Sequence, residues 1–436
     1  MRIHIIKEEE NYLIYLPDLL KFFKANESTA QLAELISSGK SFNEVLQVFP
    51  DIEHSIYESF YNQFQTNKEN TPNFDISTDE FNKYLPRLVI HISNSCNLKC
   101  KYCYAQGGNY LSEKGNISLE MLDKILDSFF TIFEKIDVIN LFGGEPTLNV
   151  PAIERVAKYI AENKKDTRLG MITNGTLIND KLASLIAEHD INVTFSVDEK
   201  NMHDILRPCV DNSGSYDRIK KSFEKLRAVS NQPSQVEVVY TKEHVNHGIS
   251  ISDVIKQIQE EFGQLPVHLT PVSTDDLTYK LENEESFMKS VDDVFTDDKL
   301  SAEADYSFTS RIISTLRNKQ PTTNICAGGF GTISVSVKGD IYPCFYLNDQ
   351  KELKITDVNK QLEEVKEMVS KARLNYYKKN ERNSGKCSTC FANTVCYGCL
   401  GVNYFSTGDL YETPEFHCNL VKGSLEKILL NLAKSG

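Results

Sequence analysis

The sequence contains no tryptophan, and its 20 tyrosines and 23 phenylalanines form no stripe suited to stacking nucleobases. No apolar run approaches the ~20 residues that a membrane span needs. The first residues, Met1-Arg2-Ile3-His4-Ile5-Ile6 ahead of Lys7 and three glutamates, lack the long apolar core of a secretory signal. Positive charge is in deficit, with 48 Lys and Arg against 61 Asp and Glu, a net charge of −13. That balance argues against non-specific attraction to nucleic acid or anionic membranes. The expectation is a cytoplasmic protein whose partners are neither nucleic acid nor a membrane.

What the sequence has in excess is cysteine. Ten of its 11 cysteines fall into two groups: Cys96, Cys100 and Cys103, then Cys326, Cys344, Cys387, Cys390, Cys396, Cys399 and Cys418. In a reducing compartment such short spacings read as metal or cluster ligands rather than disulfides. Cys209 stands alone and reads as a small packed or surface thiol rather than a ligand.

A chain of 436 residues suggests two to four domains. Residues 1–66 show strand-like runs at Arg2–Ile6 and Tyr12–Leu16, then three short helical stretches. Ser28 with Gln31 and Ser41 with Glu44 fit capping boxes, and Gly39 suits a helix stop. This pattern predicts a small winged-helix-like module, followed by a polar linker over 67–86. From 87 to about 272, strands alternate with helices: Arg87–Ile92, Val138–Phe142, Leu169–Thr173, Ile191–Val197, Val236–Tyr240 and Val267–Val272 are the strands. Between them lie helices such as Ser118–Ile136, where Leu122, Ile125, Leu126, Phe129 and Phe133 recur on one face. Alternation of this kind predicts a parallel sheet, and periodicity leaves an open sheet and a partial barrel equally possible. An acidic surface helix or crossover is expected over 280–305, with Asp292–Asp298 solvated. A hairpin across Ile333–Cys344 and a polar helix over 358–378 lead to the last cysteines. His91, inside an apolar strand, reads as a satisfied core residue.

Chemistry concentrates where ligands bind in parallel α/β folds, at the carboxyl ends of strands. Cys96-Asn-Leu-Lys-Cys100-Lys-Tyr-Cys103 follows the first strand, and Gly143-Gly144-Glu145-Pro146 follows the second. Thr173-Asn174-Gly175 ends the third, Ser196-Val197-Asp198 the fourth, and Tyr240-Thr241 the fifth. Three thiolates on one loop can hold three irons of a cubane and leave the fourth open. The alternative is a zinc loop, which for a structural site wants a fourth ligand.

The CxxxCxxC loop with Tyr102 before its last cysteine, together with Gly143–Pro146, resembles the radical S-adenosylmethionine (radical SAM) enzymes. The resemblance implies a partial (β/α)6 barrel over 87–310, with Cys96, Cys100 and Cys103 ligating a reducing [4Fe–4S] cluster. It also implies Glu145 and the Gly143-Gly144 backbone near the methionine amine, Ser196 and Asp198 near the ribose, Arg207 near the carboxylate, and Tyr102 beside the adenine. The C-terminal cysteines resemble the SPASM domain (residues 311–436), implying two auxiliary [4Fe–4S] clusters and so three in all. By that pattern Cys387, Cys390, Cys396 and Cys418 close one cluster, and Cys326, Cys344 and Cys399 hold the other. Seven cysteines leave one iron open, and the last interval is one residue shorter than the family's usual spacing. A pair of zinc sites is the alternative.

Residues 1–66 resemble the leader-peptide recognition elements (RRE) of enzymes that modify ribosomally made peptides, where a peptide adds as a strand to a sheet edge. These resemblances imply a sactionine-like peptide maturase that binds a ribosomally synthesised precursor through its leader. An electron donor such as flavodoxin or ferredoxin would reduce it, and it would form a thioether between a cysteine sulfur and a peptide carbon. Carbon–carbon or carbon–oxygen crosslinking and formylglycine formation on a sulfatase are alternatives. A non-catalytic iron–sulfur or zinc scaffold binding DNA through residues 1–66 is the alternative of another class.

Overall fold

A computed structural model describes residues 2–66, 78–110, 112–163, 165–302 and 305–435. The N-terminal part is an antiparallel sheet in the order β1 (His4–Glu8), β2 (Asn11–Leu16), β3 (Lys21–Ala25). The helices Glu27–Ser37, Phe42–Leu46 and His54–Thr66 follow. Phe22-Phe23 therefore lie in a third strand. The Ser41–Glu44 box forms, with Gly39 at φ +85° before it. The Ser28–Gln31 box does not, because Asn26 caps the first helix by accepting Thr29 N–H at 2.8 Å. Asn26 directly follows β3 and is as good a cap as serine, so the helix starts earlier.

Of the linker span, 67–77 lies outside the described residues, and 78–83 is a short helix, Thr78–Lys83, running straight into the next strand. The main sheet then has six parallel strands, neighbours in chain order: β4 (Tyr84–Ser93), β5 (Lys135–Gly143), β6 (Arg168–Thr173), β7 (Asn192–Ser196), β8 (Gln235–Tyr240) and β9 (Val267–Pro271). An order without reversal is that of a barrel wall, since a doubly wound sheet reverses at a switch point. The sheet does not stop at β4. From the cysteine-rich part, β10 (Thr332–Val335) pairs parallel with β4, and β11 (Asp340–Tyr342) and β12 (Thr356–Asp357) add antiparallel strands. The result is one mixed sheet of nine strands that fixes the C-terminal cysteines rigidly against the first strand of the barrel wall.

Alternation assigns the faces. Val193 and Phe195, Val236, Val238 and Tyr240, and Val267 and Leu269 enter the apolar core shared with the outer helices. Ser196, Glu237 and His268 take the opposite, inner face. The helix Leu119–Ile132 buries Leu122, Ile125, Leu126, Phe129 and Ile132, each contributing about 1.5–3 kcal/mol. It ends four residues before the expected Ile136 because Lys135 already opens β5 opposite Tyr84. The acidic run is not merely solvated. Asp292 pairs with Lys427 and accepts Asn431 Nδ2 at 2.9 Å, and Asp297 pairs with Lys256. These contacts tie the helix Glu285–Thr296 to the C-terminal helix and to the helix Ile251–Phe262. Among the described residues, no helix is long and apolar enough to cross a membrane.

Candidate active site and cysteine groups

The loop after β4 carries Cys96, Cys100 and Cys103 and is stitched by backbone to the end of the helix Lys200–Leu206. Lys99 N donates to Pro208 O at 2.9 Å and Lys101 N to Leu206 O at 2.8 Å. Leu98 bridges Cys209, whose buried thiol faces Gly214 O at 3.7 Å. On the other side Gly144 N donates to Ser93 O and Glu145 N to Ser95 O, both at 2.8 Å. A Cβ on Gly144 would lie 2.3 Å from Ser95 O, and one on Gly108 (φ +90°) would lie 2.4 Å from Gly144 Cα. The glycines are thus required first by contact of backbone with backbone. That contact occupies the Gly144 and Glu145 N–H groups.

The three thiols act on one another electrostatically, and burial pushes Cys96 and Cys100 up to about 12 as free thiols. The Cys96 sulfur accepts Leu98 N–H at 3.4 Å and faces Asn174 Nδ2 at 3.8 Å. Such donors favour a thiolate once a metal group binds there. Asn174 is held by Asn97 Oδ1 (3.0 Å) and by Thr176, whose hydroxyl donates to Asn174 Oδ1 at 2.7 Å. Asn97 and Thr176 carried no signal in the sequence beyond lying near the cysteine loop and the end of β6.

Glu145 is 1% exposed and heavily bonded. Its Oε1 accepts Thr147 N–H (3.0 Å), Thr147 Oγ1 (2.6 Å) and Thr173 Oγ1 (2.5 Å), and its Oε2 accepts Asn174 N–H (2.7 Å). Burial raises this carboxyl above its usual range against the opposing pull of those donors. The side chain therefore clasps the end of β5 to the end of β6.

Asp198, Arg207 and Tyr102 form a second cluster. Asp198 Oδ2 accepts Arg207 Nε (3.0 Å) and Tyr102 OH (2.5 Å), and Oδ1 accepts Val239 N–H (3.1 Å). Burial, the largest single influence, would raise Asp198, but Arg207, neighbouring histidines and the Tyr102 hydroxyl together hold the carboxyl below its usual range. Arg207 also lies 5.4 Å from the Tyr102 ring centre. Among the described residues its terminal nitrogens have no hydrogen-bond partner. His203 is neutral and fixed: Asp198 N donates to its Nδ1 (3.0 Å), which leaves the proton on Nε2 for Ser215 Oγ (2.9 Å). Ser196 ends β7 on the inner face beside this cluster. His91 is fully buried against Tyr110 and Phe142 with neither ring nitrogen bonded, so it is core but not satisfied.

The seven C-terminal cysteines separate into two sets in space. Cys344 interacts with Cys399 and Cys326, and Cys399 with Cys326. A Cβ on Gly328, between them, would stand 3.3 Å from Cys326 Sγ and 3.8 Å from Cys344 Cβ. Cys387 interacts with Cys418 and Cys390, and Cys396 with all three. Arg382 faces the second set with its Nη1 buried and unbonded, a cation that an anionic cluster would complete. His417 Nε2 stands 3.9 Å from Cys396 Sγ. The first set meets the barrel loop through aromatic rings: Tyr104, next to Cys103, stacks on Tyr346 with centres 4.0 Å apart. The second set is braced by the N-terminal sheet, because Arg2 donates to Cys390 O (3.0 Å) and His4 stacks on Phe391 (3.5 Å).

Comparison with known proteins agrees with this layout. A model of the radical SAM superfamily matches residues 90–244, and one of the SPASM iron–sulfur cluster-binding domain matches 326–391. The chain is 26% identical over 332 residues to the cysteine-type anaerobic sulfatase-maturating enzyme of Clostridium novyi, covering 72% of this chain and 87% of that one. The solved structure of native anSMEcpe with bound AdoMet superimposes with a TM-score of 0.67 at 18% identity, covering 80% of this chain and all of that one. Streptococcus suis SuiB bound to precursor peptide SuiA superimposes with a TM-score of 0.55 at 17% identity, covering 96% of this chain and all of that one. The two domains imply [4Fe–4S] clusters and S-adenosylmethionine as cofactors.

Proposed function

We propose that this radical SAM enzyme with a SPASM domain is a peptide maturase, which removes a hydrogen atom from a ribosomally made precursor and joins a cysteine sulfur to a peptide carbon. The observation that carries the reading is the three-cysteine set, Cys326, Cys344 and Cys399, beside the barrel mouth. Three sulfurs leave one iron of a cubane for an outside ligand, and a substrate thiolate suits it because metal binding deprotonates thiols.

In this reading Cys96, Cys100 and Cys103 hold the reducing cluster, and Cys387, Cys390, Cys396 and Cys418 hold a second auxiliary cluster. Bound together, the reduced cluster and S-adenosylmethionine supply the 5′-deoxyadenosyl radical that takes the hydrogen atom. The terminal nitrogens of Arg207 take the methionine carboxylate, while Asp198 keeps that guanidinium oriented and ionised. The methionine amine is a donor, so it goes to the Gly143-Gly144 carbonyls and to the remaining lone pair of Glu145 Oε2; the N–H groups there are already used. Ser196 faces the ribose and Tyr102 the adenine. Residues 1–66 bind the leader as an added strand, for which β3 is suited: it is a sheet edge, and Phe23 on it is 38% exposed. A flavodoxin or ferredoxin supplies electrons in the cytoplasm. Support for a peptide substrate comes from SuiB, whose likeness spans 96% of this chain, residues 1–66 included in large part.

The test is anaerobic incubation of reconstituted protein with S-adenosylmethionine, reductant and a precursor peptide encoded beside its gene. The expected product is lighter by two hydrogens, with fragmentation locating a sulfur–carbon bond, alongside 5′-deoxyadenosine. Absence of 5′-deoxyadenosine would refute the enzyme reading, and a crosslink lacking sulfur would refute the bond type. A second reading, formylglycine formation on a sulfatase, is favoured by the 26% identity over 332 residues with the Clostridium novyi sulfatase-maturating enzyme. It predicts instead a carbonyl product from a sulfatase peptide and no dependence on residues 1–66.

A further inference from the structure

The inner face of the barrel wall holds one carboxylate that nothing described above employs. Strand register sets Ser196 of β7 beside Glu237 of β8, and Glu237 beside His268 of β9. The three side chains form a row on the face opposite the helix-packed core, level with the end of the cofactor strand β7. Among the described residues no hydrogen-bond donor and no ion-pair partner reaches the Glu237 carboxylate, whose oxygens are not sealed off from the interior space. A carboxylate left in this state inside a fold is costly unless a ligand completes it.

Its neighbours locate it between the two redox sites. Arg207, Arg87 on β4 and Arg311 on the helix Ser307–Asn318 all act on Glu237. Arg207 in turn acts on Cys100 of the barrel loop, and Arg87 acts on Cys344 of the three-cysteine set. Glu237 thus faces the space that a substrate must occupy to give a hydrogen atom on one side and an electron on the other.

The proposed reaction requires a group there. Forming a thioether removes two hydrogens from the peptide, and the atom abstracted accounts for one. The other leaves the thiol as a proton and an electron: the S–H bond breaks, the S–C bond forms, an iron–sulfur cluster takes the electron, and a base must take the proton. Carbon–carbon and carbon–oxygen crosslinks carry the same balance. Of the other acids and bases nearby, His244 has an unbonded Nε2, but that atom is sealed from the interior space and burial lowers the ring; the rest are committed. Glu145 has four donors, Asp198 has three, and both nitrogens of His203 are engaged. His268 gives Nδ1 to Ser307 at 2.8 Å, and burial lowers it to about 4, too weak a base at neutral pH. Asp349, also short of a partner at one oxygen, lies with Asp340 and Lys338 at the turn between β10 and β11.

Resting on the maturase reading, we propose that Glu237 is the catalytic base that receives the substrate thiol proton as the sulfur becomes a thiolate, ahead of crosslink closure. Burial raises its carboxyl above the usual range while the three arginines pull it down, which makes it a stronger base than an exposed carboxylate.

The experiment compares wild type with Glu237→Gln and Glu237→Asp in the reconstituted full-length enzyme, with precursor peptide present. The quantity read is crosslinked peptide formed per 5′-deoxyadenosine. Loss of a positioned base predicts a fall of about 10²-fold or more for Glu237→Gln. A peptide-centred radical, seen by electron paramagnetic resonance, should build up in that variant. Glu237→Asp should recover part of the ratio and move the midpoint of its rise with pH. Peptide affinity, measured by fluorescence anisotropy without S-adenosylmethionine, separates loss of chemistry from loss of binding. An unchanged ratio in Glu237→Gln overturns the assignment. So does a loss of product explained wholly by weaker peptide binding. If wild type forms 5′-deoxyadenosine but leaves the peptide unaltered, the maturase reading fails, and Glu237's role falls with it.

Discussion

Replacing Glu145 by glutamine separates two roles that this residue could have. The carboxylate accepts two backbone N–H groups, of Thr147 and Asn174, and two hydroxyls, of Thr147 and Thr173. Hydroxyls can rotate to new partners, whereas the backbone donors cannot move. With the amide oxygen toward Thr147, the glutamine NH2 confronts Asn174 N–H; turned over, it confronts Thr147 N–H. Either orientation strands one buried backbone donor, which costs about 1–3 kcal/mol. Because burial already penalises the ionised glutamate, glutamine recovers part of that loss and should fall in the lower half of the range. Alanine strands both donors and should cost roughly twice as much, about 2–6 kcal/mol. Hydrogen exchange reads this locally: the Thr147 or Asn174 amide should exchange roughly 5- to 30-fold faster in Glu145→Gln. The measurement is made on holoenzyme without S-adenosylmethionine, so cofactor binding does not enter. Unchanged exchange at both amides, with cofactor affinity reduced, would refute the clasp and leave Glu145 as a ligand contact alone.

Three further outcomes are expected. Gly108→Ala pushes a Cβ into Gly144 Cα at 2.4 Å and toward Cys96 Cβ at 3.1 Å, so reconstituted protein should lose the barrel-loop cluster, about four of twelve irons, while the auxiliary signals remain. Cys209→Ala should retain all its iron and lose about 1 kcal/mol of stability, because that thiol is packed and makes only one weak contact; iron analysis and urea unfolding check both. Hydrogen bonding from Lys40 and from Ser41 holds the Glu44 carboxyl down to about 2, below its ordinary 4.5. The Ser41 cap is therefore complete above pH 4.5 and is lost as pH falls through about 2, which the Ser41 amide shift should report by nuclear magnetic resonance.

The N-terminal sheet also has a mechanical consequence. Removing residues 1–66 would strip Arg2 and His4 from the loop that carries Cys387 and Cys390. Leader recognition is better probed by Lys24→Pro on the β3 edge, which blocks an added strand while leaving β1 against the cysteine loop.

Local chemistry determined much of this protein from sequence alone. The CxxxCxxC spacing, the glycine pair, the period of the strands and the one-sided helix from Leu119 depend on neighbours within a few residues, and each was legible. The same rules misjudged where short-range signals tie: Asn26 against Ser28 as a cap, or Asp292 as a solvated charge rather than a partner of Lys427.

Tertiary structure alone decided how distant pieces meet. The grouping of Cys399 with Cys326 and Cys344 came from resemblance to a family pattern and not from local spacing, and nothing in the sequence says that β10 extends the barrel wall from β4. Nor does an ordinary Val-Glu-Val in a strand mark Glu237. Its place beside Ser196 and His268, between arginines that reach two cysteine sets, follows from register across three strands and from the arginines that other elements bring to it. Register is a property of pairs of strands, set by which faces bury apolar surface together, and a single run of residues carries only half of that information.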